Sequence, residues 1–478
     1  MERHLDEPPP SYRELRDTLA GEPRLADADA RPPERLLQAV WQAQRLRRDR
    51  LRTADGRRLR VLHPGFLNRE AGPDFRGAVL QFDDEPAVSG DVEVDLEPAG
   101  WRAHAHAGNP AYGGVRLHVV WRAAGTPAGL ATLALADVLD APAGELASQL
   151  GSGAPEGGLA WLSGRCAAPL ARRPAAEVSE LLRQAGMERL AVKAAALRAR
   201  ARDAGWEQAL WEALFRALGY KHNAWPMQRL AELRPLADEA VAAQGGGLLE
   251  AEAVWLGVAG LLPAGPPGNA ALRERWDVWW RARDALAAVT LPAVVWRRGG
   301  VRPANHPHRR VALAARWMAG GGLPERLASW FLGAEPGVAG AASLRELLEP
   351  ADAGPWSRRY TLVSRPLPRV VPWLGAQRVT DLAVNAVLPW LHARAAGDDM
   401  LRGRVEKLFL GWPAAEDNAV LRLARARLLG GGTRLRGGGA AEQQGLLQVV
   451  HDFCAGTDAL CSRCRFPALA AAWRPTEA

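Results

Sequence analysis

Two kinds of hydrophobic spacing divide the chain. Before residue 125, apolar and polar residues alternate in short runs, whereas beyond Trp161 apolar residues recur with helical periodicity over long ones. The first regime opens with a helix. Pro32-Pro33-Glu34 is a tolerated helix start, and Leu36, Leu37, Val40 and Trp41 give it one apolar face, with Arg45, Arg47, Arg48 and Arg50 on the other. Four strands follow, around Leu59 and Val61, over Ala78 to Phe82, over Val88 to Leu96 and over Val115 to Trp121. In the third, Val92, Val94 and Leu96 share a face, so Asp91, Glu93 and Asp95 share the opposite one.

The organisation expected from this patterning is a flexible lead over 1–30, an α/β domain over 31–125, a linker with a helix over 126–160, and a larger all-α domain over 161–478. Helices are predicted over 178–202, 206–218, 229–244, 250–262, 269–289, 311–318, 323–332, 344–349, 379–396, 401–410, 419–429 and 441–453. No fixed repeat is visible, which argues against a regular solenoid. Trp276, Trp279 and Trp280 fall on one helix face and read as core anchors. Polar turns containing Asn223, Asn305 and Asn418 read first as helix caps.

The chain has 478 residues and a formal net charge of +8, and 48% of its residues are hydrophobic. That length supports more than one core, and the basicity gives weak support for a nucleic-acid partner. Among basic runs, Arg302 to Arg310 is the clearest, with Arg302, Arg309 and Arg310 as candidate phosphate-binding residues. No apolar leader and no apolar span of the ~20 residues that cross a bilayer are present, which predicts a soluble cytoplasmic protein with no membrane partner.

Candidate chemistry gathers between Gly65 and Trp121. Asp74 lies in the turn Gly72-Pro73-Asp74-Phe75, just before one strand, and Glu93 and Asp95 lie on one face of the next. If these strands pair, the carboxylates converge, and at ~4 Å two such charges repel by about 4 kcal/mol at an effective dielectric near 20. Mg²⁺ or Mn²⁺ bound by Asp74 and Glu93 would relieve that repulsion and activate water. His104 and His106, at i and i+2, and His118 on the following strand are further candidates for catalysis or for a zinc or manganese ion. The four cysteines suggest a separate site. Cys454, Cys461 and Cys464 fall within eleven residues, and Cys166 lies at the entry to the helical region. Together they predict a structural zinc or an iron-sulfur cluster that staples the two ends of that region.

An acid ahead of one strand and a Glu-x-residue pair on the next resembles the core of PD-(D/E)XK nucleases, whose helix, three-strand meander and further strand match the order read here. The resemblance implies a restriction-endonuclease-like fold and metal-dependent cleavage of DNA or RNA. The lysine usual two residues after the second acid is replaced by Asp95, which leaves His104, His106 or an arginine to substitute for it.

The whole pattern also resembles an uncharacterised bacterial domain-of-unknown-function family, DUF2851. It is carried by Leu37 to Trp41, Gly72-Pro-Asp74-Phe, Gly90-Asp-Val-Glu93, Trp101 with His104 and His106, Tyr112, His118, Cys166, Glu188 with Lys193, Asn223, Asn305, Asn385, Glu416 with Asn418, and the terminal cysteines. That resemblance brings no activity with it, and it implies that the missing lysine is a family trait. The leading expectation is therefore a metal-dependent nuclease or nuclease-like nucleic-acid-processing protein. A non-catalytic nucleic-acid-binding or assembly protein of the same fold and a histidine-carboxylate metal hydrolase are the alternatives.

Overall fold

In the computed structural model, residues 11–19, 32–68, 72–103, 109–123, 129–150, 164–351, 354–430, 438–454 and 464–475 are described. The alternating N-terminal runs form one mixed sheet of six strands: β1 (Leu59–His63), β2 (Phe66–Leu67), β3 (Phe75–Phe82), β4 (Val88–Asp95), β5 (Val115–Val120) and β6 (Thr132–Ala134). Its order is β1-β3-β4-β5-β6, with the short β2 paired to β3. β1, β3 and β4 make an antiparallel meander, and β5 and β6 add parallel strands beyond β4.

Two strands therefore exceed the four expected. β2 is too short for alternation to register, and β6 lies in an alanine-rich stretch whose pattern is weak. The presumed linker accordingly belongs in part to the α/β unit. β6 completes the sheet, and Leu133, Leu135, Ala141 and Leu146 join the same core as Leu36, Leu37, Val40 and Trp41.

Helices α1 (Tyr12–Leu19), α2 (Glu34–Ala43), α3 (Gly100–Ala103) and α4 (Ala143–Leu150) accompany the sheet in the sequence. α2 covers one sheet face and α4 packs on α2, where Arg45 Nε donates to Asp140 Oδ2 at 2.7 Å. The opposite face meets the helical region. Leu62 and Val79 belong to the helical core, and Gln81 Nε2 donates to the Ala288 carbonyl at 3.1 Å. α1 is a second correction, because Tyr12 is fully buried and its hydroxyl donates to Asp452 Oδ2 at 2.8 Å. Part of the expected flexible lead is thus a docked helix.

The helical region begins with α5 (Ala167–Ala171), α6 (Ala175–Ala204) and α7 (Trp206–Glu232), and continues through α8 (Arg234–Ala243), α9 (Leu248–Val258), α10 (Ala270–Leu286) and α11 (Pro307–Ala319). α6 packs most extensively on the Ala440–Val449 helix. Glycine makes this approach possible: a Cβ on Gly186 would sit 2.3 Å from the Ala441 carbonyl oxygen, and one on Gly445 1.9 Å from that of Leu182. α7 bends at Tyr220, where φ is 54° and ψ −145°. Among the three tryptophans, Trp276 is buried, Trp279 packs partly on the core, and Trp280 is exposed and stacked on Trp276 at 4.6 Å.

A buried ionic hub ties the middle of this region. Glu252, fully buried on α9, meets Arg275 of α10 at 2.6 Å and Arg316 of α11 at 2.7 Å, and accepts from Trp356 Nε1 at 3.2 Å. Removing one partner of such a network leaves charge buried without compensation. Glu252→Ala should lower unfolding free energy by about 3–5 kcal/mol in urea titrations, and a loss below about 1 kcal/mol would show that the hub is dispensable.

Candidate active site

The turn ahead of β3 positions the first acid. Gly72 has a φ of +117°, a conformation that side chains strongly disfavour, and Asn68 fastens the turn from below. Its N–H donates to the Asp74 carbonyl at 2.6 Å, and its Nδ2 donates to the Pro73 carbonyl at 3.0 Å. Asp74 is thereby held at the end of the sheet. Its Oδ2 accepts from the Val94 N–H at 3.2 Å, and its Oδ1 from Gln38 Nε2 of α2 at 3.1 Å.

β4 supplies the second acid. Val92 and Val94 enter the core under α2, so alternation turns Glu93 and Asp95 to the opposite face, which is the one β1 and β3 turn toward the helical region. The Asp74 N–H donates to Glu93 Oε2 at 3.0 Å, which brings the Asp74 backbone against the Glu93 carboxylate. β5 runs parallel to β4 with His118 opposite Glu93. His118 is fully buried, and its Nε2 lies 2.8 Å from Asp95 Oδ2. Trp101 of α3 packs 5.6 Å from the His118 ring and edge-on to Tyr112 at 6.1 Å.

The electrostatics follow from this crowding. Burial is the largest effect on Asp74 and pushes its pKa up to about 6, with Glu34 and Asp95 adding to the rise against the hydrogen bonds from Val94 and Gln38. Burial and then Asp74 push Glu93 up to about 8. Tyr112 is also raised, by burial first and then by Glu93, Asp74 and Asp95. Negative charge on these acids is disfavoured, and a cation or a proton relieves it.

Sequence reasoning misses Gln38 and Glu34. They are spaced i and i+4 on α2, and an amide and an acid on a helix that covers a sheet were the available signal. His104 and His106 lie outside the described residues. Among the described residues no three His, Cys, Asp or Glu side chains form a group that could hold a metal ion.

Of the four cysteines, Cys166 and Cys464 pack on one small core with Tyr12, Phe453, Phe466 and Trp473, Cys454 is buried, and Cys461 lies outside the described residues; no cysteine cluster is seen among the described residues. Two of the expected phosphate ligands are corrected. Arg309 is fully buried, donating to the carbonyls of Trp356 (2.8 Å), Arg359 (2.6 Å), Val371 (2.8 Å) and Pro372 (3.2 Å). Arg310 donates to the Trp373 carbonyl at 2.8 Å and to Asn305 Oδ1 at 2.9 Å. Both guanidiniums hold an irregular loop in place of an external ligand. Arg302 remains exposed, 3.8 Å from Glu416.

A family model described as a protein of unknown function, DUF2851, matches residues 34–412. The chain belongs to that family. The DUF2851 match spans the whole sheet, α2 and most of the helical region, and it ends before Glu416, Asn418 and the terminal cysteines. No curated protein and no solved structure matches the chain. No described helix is long and apolar enough to cross a membrane.

The raised carboxyl pKa values carry a sign. The folded protein keeps protons on Asp74 and Glu93 that the unfolded chain has already released, so their contribution to stability falls as pH rises from the ordinary carboxyl range through about 6 and then about 8. Glu93→Gln keeps an acceptor for the Asp74 N–H and removes the ionisation. In chelator-treated protein it should exceed the native chain by about 1 kcal/mol or more at pH 8 and match it near pH 4 in chemical denaturation; equal stability at both pH values would contradict the assignment.

Proposed function

We propose that this protein is a divalent-cation-dependent phosphodiesterase acting on nucleic acid, with its centre at Asp74, Glu93, Asp95 and His118. The observation that supports this reading is the meeting of Asp74, half-buried just ahead of β3, with the buried Glu93 of β4, the Asp74 backbone N–H donating to Glu93 Oε2 at 3.0 Å. Mg²⁺ and Mn²⁺ suit oxygen ligands, and Mg²⁺ needs only one or two protein carboxylates because it keeps much of its water. A pair of carboxylates without a three-sided protein cage fits a hydrated ion of that kind. The strand order supports the likeness to PD-(D/E)XK nucleases: an antiparallel meander of β1, β3 and β4, then β5 parallel to β4.

When bound, the cation would polarise a phosphoryl oxygen and acidify a water molecule. Asp74 and Glu93 would hold it, and the Gln38 amide and the Val94 N–H fix the orientation of Asp74. Asp95 stands where those nucleases carry lysine, and its carboxylate engages His118 Nε2. With the Nε2 proton directed at Asp95, the lone pair of His118 is on Nδ1, and that atom has no hydrogen-bond partner among the described residues. In this reading the fully buried His118 ring is a positioning residue that holds the Asp95 carboxylate beside the site. His104 and His106 are kept as candidates for the substrate phosphate, and Arg302 as a contact to the nucleic-acid backbone.

A separate structural zinc or iron-sulfur cluster at Cys166, Cys454, Cys461 and Cys464 is supported by Cys166 and Cys464 sharing one core. Metal analysis should find zinc or iron that Cys464→Ser loses and Asp74→Ala retains; protein isolated with neither element would reject the cluster. For the catalytic centre, purified protein should cleave single- or double-stranded nucleic acid with Mg²⁺ or Mn²⁺. Asp74→Ala and Glu93→Ala should each lower the rate at least about a hundredfold with the fold intact by circular dichroism. Undiminished cleavage in both variants would reject the site, and salt-dependent binding without any cleavage would favour the non-catalytic alternative.

A further inference from the structure

Arg189, Lys193, Ala196 and Arg200 succeed one another along α6 at intervals of four, three and four residues, so they share one stripe of the helix. That stripe forms a wall of a cavity of about 850 Å³. The facing walls come from the end of α2 and Arg48, from α7 through Arg216 and Trp225, and from the Ala440–Val449 helix through Gln443 and Gln444. Neither Asp74 nor Glu93 lines this space.

Most arginines on the walls are matched by acids. Arg45 meets Asp140, Arg48 meets Glu232, Arg200 meets Glu212, and Arg378 meets Asp381. Among the described residues, three cations on these walls have only neutral partners in their hydrogen bonds. Arg189 donates to Gln444 Oε1 at 3.1 Å and Gln448 Oε1 at 3.4 Å. Lys193 Nζ donates to the Val384 carbonyl (3.0 Å), Asn385 Oδ1 (2.7 Å) and Gln444 Oε1 (2.8 Å). Arg216 donates to Gln228 Oε1 at 2.7 Å and lies 3.8 Å above the Trp225 ring.

Neutral acceptors satisfy N–H groups without cancelling charge. Burial accordingly drives Lys193 well below its ordinary range and Arg216 down to about 10. The nearest acids are already committed, Asp381 to Arg378 at 3.3 Å and Asp452 to the Tyr12 hydroxyl at 2.8 Å. A further feature of the cavity points to a purpose. Tyr220, on its wall, has φ 54° and ψ −145°, a combination almost confined to glycine, and Asn223 clamps that bend by exchanging hydrogen bonds of 3.0 and 2.8 Å with the backbone of Arg297. Strain of this kind persists where surrounding structure fixes a functional geometry.

We propose that this cavity binds a phosphorylated small molecule of about mononucleotide size, with its phosphate held by Arg189 and Lys193, which share Gln444, and with Arg216 on the α7 wall facing the rest of the ligand. The dianion supplies the charge that the amide acceptors lack. The volume lies within the range of small-ligand pockets, and the Asn385 and Gln444 carboxamides stand beside Lys193 on its wall. An extended nucleic-acid tract would not be accommodated in a space of this size. The inference is independent of the phosphodiesterase reading, since the two sites share no residue.

The test is calorimetric titration of the full chain with inorganic phosphate, with AMP and with a short single-stranded oligonucleotide. Phosphate and AMP should bind saturably, AMP more tightly. Lys193→Gln and Arg216→Gln should each weaken AMP binding at least about tenfold while their ligand-free Tm equals or exceeds that of the native chain, because each removes an unbalanced buried charge. Asp74→Ala should bind AMP unchanged. Absence of saturable binding by both phosphate and AMP, unaltered affinity in both cavity variants, or binding of the oligonucleotide alone would overturn the proposal.

Discussion

Charge taken out of water is the constraint on which this structure depends, and Glu252 shows it most plainly. A fully buried carboxylate must be met by cations brought in with it, and Arg275 and Arg316 arrive from two different helices to do so. α9, α10 and α11 are therefore fixed relative to one another by electrostatic necessity as well as by packing. The same rule governs Arg309 and Arg310, which meet carbonyl dipoles of a loop in place of carboxylates. Arginine suits that task because its planar fork can satisfy several acceptors at once.

Two places escape this matching, and they have opposite sign. On the sheet, Asp74 and Glu93 crowd negative charge into a site where burial already disfavours it. Between α6, α7 and the Ala440–Val449 helix, Arg189, Lys193 and Arg216 hold positive charge against neutral amides. The second differs from the buried Arg309 and Arg310, which also meet neutral acceptors, in that its cations line a cavity. The two are built from different elements, the first from strand ends and α2, the second from a helix stripe and its neighbours.

Much of the fold is legible in the sequence because it is written in local periodicity. Val92 and Val94 alternate with Glu93 and Asp95, and the structure separates them as that alternation requires. Asn418 caps its helix at the Leu421 N–H, as a polar residue ahead of an apolar run should. What was not legible is whatever tertiary context decides. β6 becomes a strand only because β5 offers an edge to it, and α1 becomes ordered against residues more than 400 positions away. Arg309 and Arg310 looked like surface basic residues because a charge run gives no sign of which way its helix faces. In the candidate site, Asp74 and Glu93 could be paired from strand order alone, while the Asp95–His118 contact required the parallel register of β4 and β5. Gln38 reaches the site from a helix that periodicity assigns only to covering the sheet.

The bond from the Tyr12 hydroxyl to Asp452 joins residues separated by 440 positions, in a core completed by Phe466 and Trp473. During synthesis, α1 emerges long before any of its C-terminal partners exist. At ordinary elongation rates it waits on the order of half a minute or more. The sheet, whose strands lie within one stretch of chain, can form in that interval, and the small core around Tyr12 can close only when residues through Trp473 have left the ribosome. A nascent chain halted short of Trp473 would therefore present Tyr12 and the adjoining residues of α6 without part of their cover.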